Sequence, residues 1–329
     1  MDHKQIHFVL TCLFLLHSFT DASFNRWEIQ NPPLSGRNFR DISLGRDSTL
    51  WIIGEYGTIL YSNDKGTTWS KSTVSTNSPL NSIVFSTNDT GWAVGGVRGN
   101  YVCLGTTDGG KTWTRSHSFD SPTRLWKVYC KTAREIWFAG VGQNAQALVW
   151  NPILDKWNSR DIGGERINDI LFLSDSIGIT AGRSGGKGYI GRSEDGGISW
   201  QKVMEDQKYP FVGKLAFPCK DTGYAIAYYG FSAKILRTVD SGKSWKRCFE
   251  RNNYIIDALS CESADRVMVF GITTHLRPQR KNLDITTDGG ESWTTLPLPT
   301  LGLIADFQLT GPSKGIAICK NSTIYEISI

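Results

Sequence analysis

The chain has 329 residues, of which 40% are hydrophobic and 20% are charged, and its formal net charge is +5. This balance is typical of a folded globular protein and differs from the strongly basic composition of nucleic-acid-binding proteins. Beyond the amino-terminal segment, no apolar run is long enough for a membrane-spanning helix. We therefore predict no nucleic-acid partner and no transmembrane span.

The first 22 residues are predicted to be a secretory signal peptide. His3 and Lys4 precede an apolar stretch over residues 6–16, and small and polar residues follow around Ala22. A buried first helix is the alternative interpretation. The pattern predicts export to the periplasm or out of the cell, with a single folded domain over residues 23–329.

The cysteine pattern leaves disulfides and free thiols both open, because six cysteines allow fifteen pairings. The six that follow the signal peptide are Cys103, Cys130, Cys219, Cys248, Cys261 and Cys319. The sequence has no CxxC motif and no Cys/His cluster of the kind that binds structural zinc. We predict neither a metal nor a cofactor.

Seven tryptophans recur at intervals of 42 to 48 residues, which is about the size of one four-stranded propeller blade. They are Trp27, Trp69, Trp113, Trp157, Trp200, Trp245 and Trp293. This period predicts an all-β fold, a seven-bladed β-propeller with four strands in each blade.

Five of these tryptophans end copies of the Asp-box, Ser/Thr-X-Asp-X-Gly-X-Thr/Ser-Trp, which we place between the third and fourth strands of a blade. Its carboxylate can accept backbone N–H bonds across the turn, and its glycine can adopt positive φ. A structural role is therefore predicted, with a catalytic acid as the alternative. The aspartates are Asp64, Asp108, Asp195, Asp240 and Asp288.

An alternating apolar pattern before each box predicts the innermost strand of each blade. Its first apolar positions are Phe39, Leu80, Leu125, Ile167, Val212, Ile255 and Ile304. Its next are Ile42, Ile83, Val128, Ile170, Leu215, Ala258 and Phe307. The last repeat has only three strands, so we predict that residues 23–32 supply the fourth and close the ring, which removes the exposed sheet edges.

Repeated Asp-boxes together with second strands such as Gly-Trp-Ala-Val-Gly at residues 91–95 resemble the photosystem II assembly/stability factor family and its non-photosynthetic bacterial relatives. The resemblance to this BNR-type repeat family extends over residues 23–329. It implies a seven-bladed propeller that acts as a non-catalytic binding scaffold or assembly factor.

The loops between second and third strands share one face of a propeller with the loops that enter the innermost strands, and ligands usually bind such a face. These loops are basic and aromatic, as protein interfaces often are. We predict a protein partner of unknown identity, with a glycan or merely solvated loop charges as alternatives. The candidate residues are Arg98, Arg183, Lys187, Tyr228, Tyr229, Phe231, Arg277, Arg280 and Lys281.

A mostly charged position in the innermost strands gives a second candidate group, which we predict to line the channel mouth and to be largely self-neutralising. Its charged members are Asp41, Lys127, Asp169, Lys214, Asp257 and Asp306. The sign of the charge alternates from Lys127 to Asp257. A cation held by Asp41, Asp257 and Asp306 is the alternative.

A glycoside hydrolase is the main alternative function. Sialidases also carry Asp-boxes, but their Phe/Tyr-Arg-Ile-Pro motif is approached here only by Phe39-Arg40-Asp41-Ile42, which lacks the proline. Xyloglucan-cleaving enzymes carry two such propellers in tandem, and this sequence has room for one. We predict a protein that is not an enzyme, with a carbohydrate-binding lectin as a further alternative.

Overall fold

The structure is a computed structural model that describes residues 26–30, 32–33, 36–45, 47–97, 100–115, 124–141, 146–151, 156–275, 279–298, 302–312 and 314–328. The predicted signal peptide lies outside these residues. All regular secondary structure in the described ranges is β-strand. Within them, no helix is long and apolar enough to cross a membrane.

The strands form antiparallel sheets in which four strands that follow one another in the chain pair in order. The first half of the chain contains β1 (Arg26–Gln30), β2 (Phe39–Leu44), β3 (Leu50–Gly54), β4 (Ile59–Ser62), β5 (Ser70–Lys71), β6 (Thr73–Val74), β7 (Leu80–Phe85), β8 (Gly91–Val97), β9 (Asn100–Thr106), β10 (Thr112–Arg115), β11 (Arg124–Thr132), β12 (Glu135–Val141), β13 (Gln146–Asn151) and β14 (Lys156–Asp161). The second half contains β15 (Arg166–Phe172), β16 (Gly178–Ser184), β17 (Lys187–Ser193), β18 (Gln201–Asp206), β19 (Phe211–Ala216), β20 (Gly223–Tyr229), β21 (Ser232–Thr238), β22 (Lys246–Arg251), β23 (Tyr254–Cys261), β24 (Val267–Thr273), β25 (Lys281–Thr286), β26 (Thr294–Pro297), β27 (Ile304–Gly311), β28 (Lys314–Cys319) and β29 (Ile324–Ser328).

Two contacts extend this four-strand plan. The short strand β6 pairs in parallel with β10, through Thr73 and Thr112. The sheet that starts at β11 joins the sheet that starts at β15 through one residue pair, Val141 with Arg166. Both contacts link neighbouring four-stranded groups.

The amino-terminal strand closes the last sheet, as predicted. Strand β1 pairs antiparallel with β29, from Arg26 opposite Ser328 to Gln30 opposite Ile324. The first strands of the sheets also contact one another in succession, β2 with β7 and so on through β11, β15, β19, β23 and β27, and β27 contacts β2. The prediction of an all-β propeller closed by its N-terminal strand is confirmed.

The core lies between neighbouring sheets, where the apolar face of one sheet packs against the next. Between the sheets of β2–β5 and β7–β10, for example, Trp51 and Ile59 pack with Leu80 and Trp113. Each such side chain contributes about 1.5–3 kcal/mol when it is fully buried. Burial inside these clusters also raises the pKa of the Cys103 thiol to about 12.

A β-bulge interrupts the first strand of most sheets just after its first apolar residue. Register shifts separate Phe39 from Asp41, Leu125 from Lys127 and Ile167 from Asp169. A bulge inserts one extra residue and re-aims its side chain, so consecutive residues leave the strand in different directions. The bulges therefore create two separate rows of side chains, and both rows contribute to the candidate site.

The bulge also corrects two apolar assignments. In β23 the shift lies between Ile256 and Ala258, so Ile256 takes the position that the sequence pattern gave to Ile255, and Leu259 takes the one that it gave to Ala258. Ile256 is 1% exposed, whereas Ile255 is only half-buried. The pattern was wrong here because two adjacent isoleucines fit the alternation equally well.

Candidate functional site

Each Asp-box folds as a turn whose carboxylate is fully engaged. In the second box, Thr106 Oγ1 donates to Asp108 Oδ1 at 2.8 Å, and Thr112 donates to Asp108 through its backbone N at 3.0 Å and its hydroxyl at 2.6 Å. Gly110 N donates to Thr106 Oγ1 at 3.0 Å, and Trp113 Nε1 donates to Gly110 O at 3.0 Å. The same set of bonds recurs in the other four boxes.

These bonds hold the box carboxylates in the ionised form. The hydroxyl and backbone N–H of the Thr four residues later lower the pKa of Asp64 and of Asp108 to about 2. In Asp240, such bonds outweigh the opposing effect of burial, and the pKa is again about 2. A group that stays ionised and bonded within its own turn is poorly suited to deliver a proton.

The glycine of the box allows the closest approach between sheets. Gly110 has φ of +78°, and a Cβ at this position would lie 2.1 Å from Cη2 of Trp51 on the preceding sheet. Any side chain at this position would therefore clash with Trp51 and would also strain the backbone. The motif brings its turn into contact with the tryptophan of the neighbouring sheet.

The first row of side chains forms a lysine–aspartate network, which comprises Asp41, Lys127, Asp169, Lys214 and Asp306. Lys127 Nζ lies 3.5 Å from Asp169 Oδ1, and Lys214 Nζ is paired with Asp306 Oδ1. Strands β19 and β27 are separated in the ring by β23, so the pair between Lys214 and Asp306 spans the inside of the ring. The backbone N–H groups of Leu215 and Phe307 also donate to Asp169 and Asp306, at 2.9 Å each.

Asp41 is the member of this network that is most strongly perturbed. Desolvation by the surrounding protein raises its pKa to about 7, the nearby carboxyl of Asp306 adds to the rise, and Lys127 and Lys214 oppose it. The pKa of Lys127 is raised in turn, chiefly by Asp169. Two lysines face three aspartates, so the network is neutral when one aspartate holds a proton.

Asp257 does not join this network, contrary to the sequence alignment of the repeats. The bulge in β23 gives it the register position of Arg40 in β2, while Ala258 takes that of Asp41. Burial raises the pKa of Asp257 to about 6, against the opposing effects of Lys320 and Lys281. Among the described residues, no group of three His, Cys, Asp or Glu side chains is arranged to hold a metal ion.

The predicted basic and aromatic loop residues divide into four groups. Arg98 and Arg277 lie outside the described residues. Arg183, Tyr229, Phe231 and Arg280 are exposed, and Lys187 and Lys281 are half-buried at the starts of β17 and β25. Tyr228 is not an exposed contact residue, because its ring stacks on Phe211 at 4.6 Å and its hydroxyl donates to Ile256 O at 3.0 Å.

The second row of side chains lines a cleft with an empty volume of about 820 Å³. We call it the arginine cleft, and its lining residues are Arg40, Asn81, Arg124, Trp126 and Asn168. The bulge residues of β2, β7, β11 and β15 thus meet at one place. Each directly precedes the position that Asp41 occupies in β2 and Lys127 occupies in β11.

Two guanidinium groups stack on one indole ring in this cleft. The Cζ atom of Arg124 lies 4.1 Å from the ring centroid of Trp126, and that of Arg166 lies 5.2 Å from it. Burial, followed by the charges of Arg124 and Arg183, lowers the pKa of Arg166. Positive charge is therefore concentrated around Trp126.

Several polar groups of the cleft are fixed by hydrogen bonds, but two donors are not. Arg40 Nη1 donates to Asn81 Oδ1 at 2.7 Å, and Asn168 accepts from Arg166 Nε at 2.9 Å. By contrast, Arg124 Nε and Trp126 Nε1 are buried and have no hydrogen-bond partner among the described residues. A buried donor without a partner is costly, which makes these two atoms candidates for ligand contacts.

The sequence reasoning missed the arginine cleft because it selected the charged position of each inner strand and passed over the residue before it. One signal was available. The same position of four successive repeats, directly after the first apolar residue of the innermost strand, is occupied by a polar or aromatic side chain. These residues are Arg40, Asn81, Trp126 and Asn168.

Comparisons with known proteins support the fold. The profile of the family described as photosynthesis system II assembly factor YCF48 matches residues 11–102. A solved structure described as YCF48 bound to D1 peptide superposes with a TM-score of 0.69 at 18% identity, and the match covers 93% of this chain and 96% of that one. A search of curated proteins found no match.

Two further solved structures show how widely the fold occurs. YCF48 from Cyanidioschyzon merolae matches with a TM-score of 0.69 at 16% identity, covering 92% of this chain and 98% of that one. The GH74 enzyme of Niastella koreensis matches with a TM-score of 0.70 at 14% identity, covering 90% of this chain and 53% of the enzyme. The protein is a BNR-type propeller that resembles the YCF48 assembly factors.

Proposed function

We propose that the protein is an exported, non-catalytic scaffold that binds an acidic segment of a partner protein in the arginine cleft. The observation that carries this proposal is a pair of buried donors, Arg124 Nε and Trp126 Nε1, which have no hydrogen-bond partner within the described part of the chain and lie in a cleft flanked by arginines. The export part rests on the signal-peptide pattern of the first 22 residues.

A carboxylate is the ligand group that suits this cleft. It can accept from a guanidinium and from an indole N–H at once, and hydrogen bonds between ionised groups are about twice as strong as neutral ones. Of the arginines in or next to the cleft, Arg40 already has an acidic neighbour, Glu55 at 3.6 Å, whereas no such ion pair involves Arg124 or Arg166 in the described part of the chain. Arg and Trp are also the residues most enriched among the energetic centres of protein interfaces.

The comparisons support a peptide-binding role. The YCF48 assembly factors are propellers of this type, and one of them was solved with a peptide bound. We infer that this protein also binds a peptide segment, with a partner of its own.

The arrangement of carboxylates favours a scaffold over a hydrolase. The box aspartates are bonded within their turns, and the nearby carboxyl of Asp306 helps to raise the pKa of Asp41. Glycoside hydrolases keep their two carboxyl groups roughly 5 Å or more apart, so that a sugar can enter between them. An assay with xyloglucan oligosaccharides tests the remaining hydrolase alternative, and measurable turnover would refute the scaffold proposal.

The binding proposal is tested by capture from the envelope fraction of the host, with bound proteins identified after cross-linking. The variant R124E/R166E reverses the charges around Trp126, and R134E is a matched control because Arg134 is exposed in the turn between β11 and β12. We expect one defined protein to be retained by wild type and R134E and lost by R124E/R166E. Equal retention by all three forms would exclude the arginine cleft as the binding site.

A further inference from the structure

We infer that the partner segment carries a large apolar side chain beside its acidic group, and that an aromatic patch next to the arginine cleft binds it. The aromatic patch consists of Phe211, Tyr229 and Phe231. This inference rests on the proposed function and specifies the chemistry of the segment that it would bind.

All three patch residues are large hydrophobic side chains that are exposed to solvent. Phe211 is 37% exposed, Tyr229 is 57% exposed and Phe231 is 69% exposed. They come from the start of β19, the last residue of β20 and the turn between β20 and β21, and they lie at the same end of one sheet because Phe211 pairs with Tyr228. Three exposed aromatic side chains at one end of a sheet indicate an interaction surface.

The rings are presented by an anchored backbone. Phe231 O accepts from Tyr254 N at 2.7 Å, which ties the turn to the next sheet. Ser232 Oγ donates to Asn252 Oδ1 at 3.2 Å, and Phe211 lies against the half-buried ring of Tyr228 at an interplanar angle of 21°. Anchoring lowers the entropy lost on binding, so a partner side chain gains more from contact with these rings.

The aromatic patch is linked to the arginine cleft through the backbone of β19. Asn168, which lines the cleft, donates from Nδ2 to Val212 O at 2.7 Å, and Val212 directly follows Phe211. Arg183 is paired with Arg166 across β15 and β16, so further positive charge lies on the same side. A segment that places a carboxylate against Trp126 therefore continues onto Phe211 and its neighbours.

A peptide segment explains both features together. A lipid surface would use the exposed aromatics but would not reach the buried donors of Arg124 and Trp126. A segment that combines Asp, Glu or a terminal carboxylate with Phe, Tyr, Trp, Leu or Met uses both surfaces at once. Aromatic and arginine contacts of this kind dominate the binding energy of protein interfaces.

The test uses a displayed library of random 12-residue peptides, which is selected separately on four forms of the full chain. These are wild type, R124E/R166E, F211S/F231S and the control I198S, since Ile198 is 70% exposed in an Asp-box turn. Urea unfolding of each form establishes that it is folded, and the single variant F231S replaces the double variant if the latter is not.

We expect wild type and I198S to select peptides with an acidic residue and a large apolar residue within a few positions of each other. For F211S/F231S, the enrichment of acidic residues should be kept and the enrichment of apolar residues should fall about tenfold. For R124E/R166E, the enrichment of acidic residues should be lost. Acidic enrichment in wild type with no apolar preference, or an apolar preference unchanged in F211S/F231S, would overturn the inference. Absence of acidic enrichment in wild type would instead refute the proposed function, and enrichment of apolar residues alone would point to a lipid-like surface.

Discussion

Replacing Asp41 with Asn should change how the stability of the protein depends on pH. The carboxyl of Asp41 lies among Lys127, Lys214 and Asp306, and desolvation raises its pKa from 3.8 to about 7. With one proton on Asp41 the two lysines and three aspartates of the network balance, whereas full ionisation leaves one excess negative charge. Asparagine cannot ionise but can still donate a hydrogen bond to Asp306, so it resembles the protonated form.

The direction in which the free energy of unfolding changes with pH follows from proton binding. Between about pH 4 and pH 7 the folded chain holds the Asp41 proton and the unfolded chain does not, so the free energy of unfolding decreases as the pH rises through this window. A difference of about 3 pH units corresponds to about 4 kcal/mol in total, of which about 2–3 kcal/mol falls between pH 5 and pH 8. Since Asp41 is only half-buried, screening by water reduces our expectation to about 1–2 kcal/mol.

The assay is urea unfolding of wild type, D41N and the control D175N at pH 5, 6, 7 and 8. Asp175 is exposed in the turn between β15 and β16, and its substitution should leave the profile unchanged. The stability of D41N relative to wild type should grow by about 1–2 kcal/mol from pH 5 to pH 8. If the two profiles are parallel over that range, Asp41 is ionised throughout and the reasoning about the network is wrong.

Three further changes test the fold. D240A removes the bonds that Asp240 accepts from Thr238 and Ser244, and should cost about 1–2 kcal/mol in urea unfolding, with D175A near zero. W113A empties a site that is 1% exposed and should cost about 3–5 kcal/mol in the same measurement, whereas I198A on the surface should cost less than about 0.5 kcal/mol. Removing residues 1–30 deletes β1 and exposes the edge of β29, so the melting temperature should fall by more than about 5 °C relative to a chain that lacks only residues 1–22, and an unchanged value would contradict the closure.

The repeat architecture could be predicted because its determinants are local. Each Asp-box completes its own hydrogen bonds within eight residues, as the bonds from Thr106 and Thr112 to Asp108 show. The closing strand could be predicted as well, because a final repeat with three strands leaves an edge that only the other terminus can pair.

The candidate site was predicted less well because side-chain direction in the inner strands depends on bulges. Asp257 and Asp41 occupy similar places in the repeats, yet the shift between Ile256 and Ala258 puts Asp257 in the other row. Lys214 similarly pairs with Asp306 across the ring, instead of with the next charged residue along the chain.

The sequence by itself determined the kind of fold, the turns that hold each sheet and the strand that closes the ring, since a period of tryptophans and a self-contained turn are properties of short segments. Only the tertiary structure decided which side chains meet. Trp126 and Arg166 lie in different repeats, and a one-residue change of register moves a side chain to the other face of its strand. The charge network, the arginine cleft and the aromatic patch therefore depend on how the bulged inner strands are assembled around one ring.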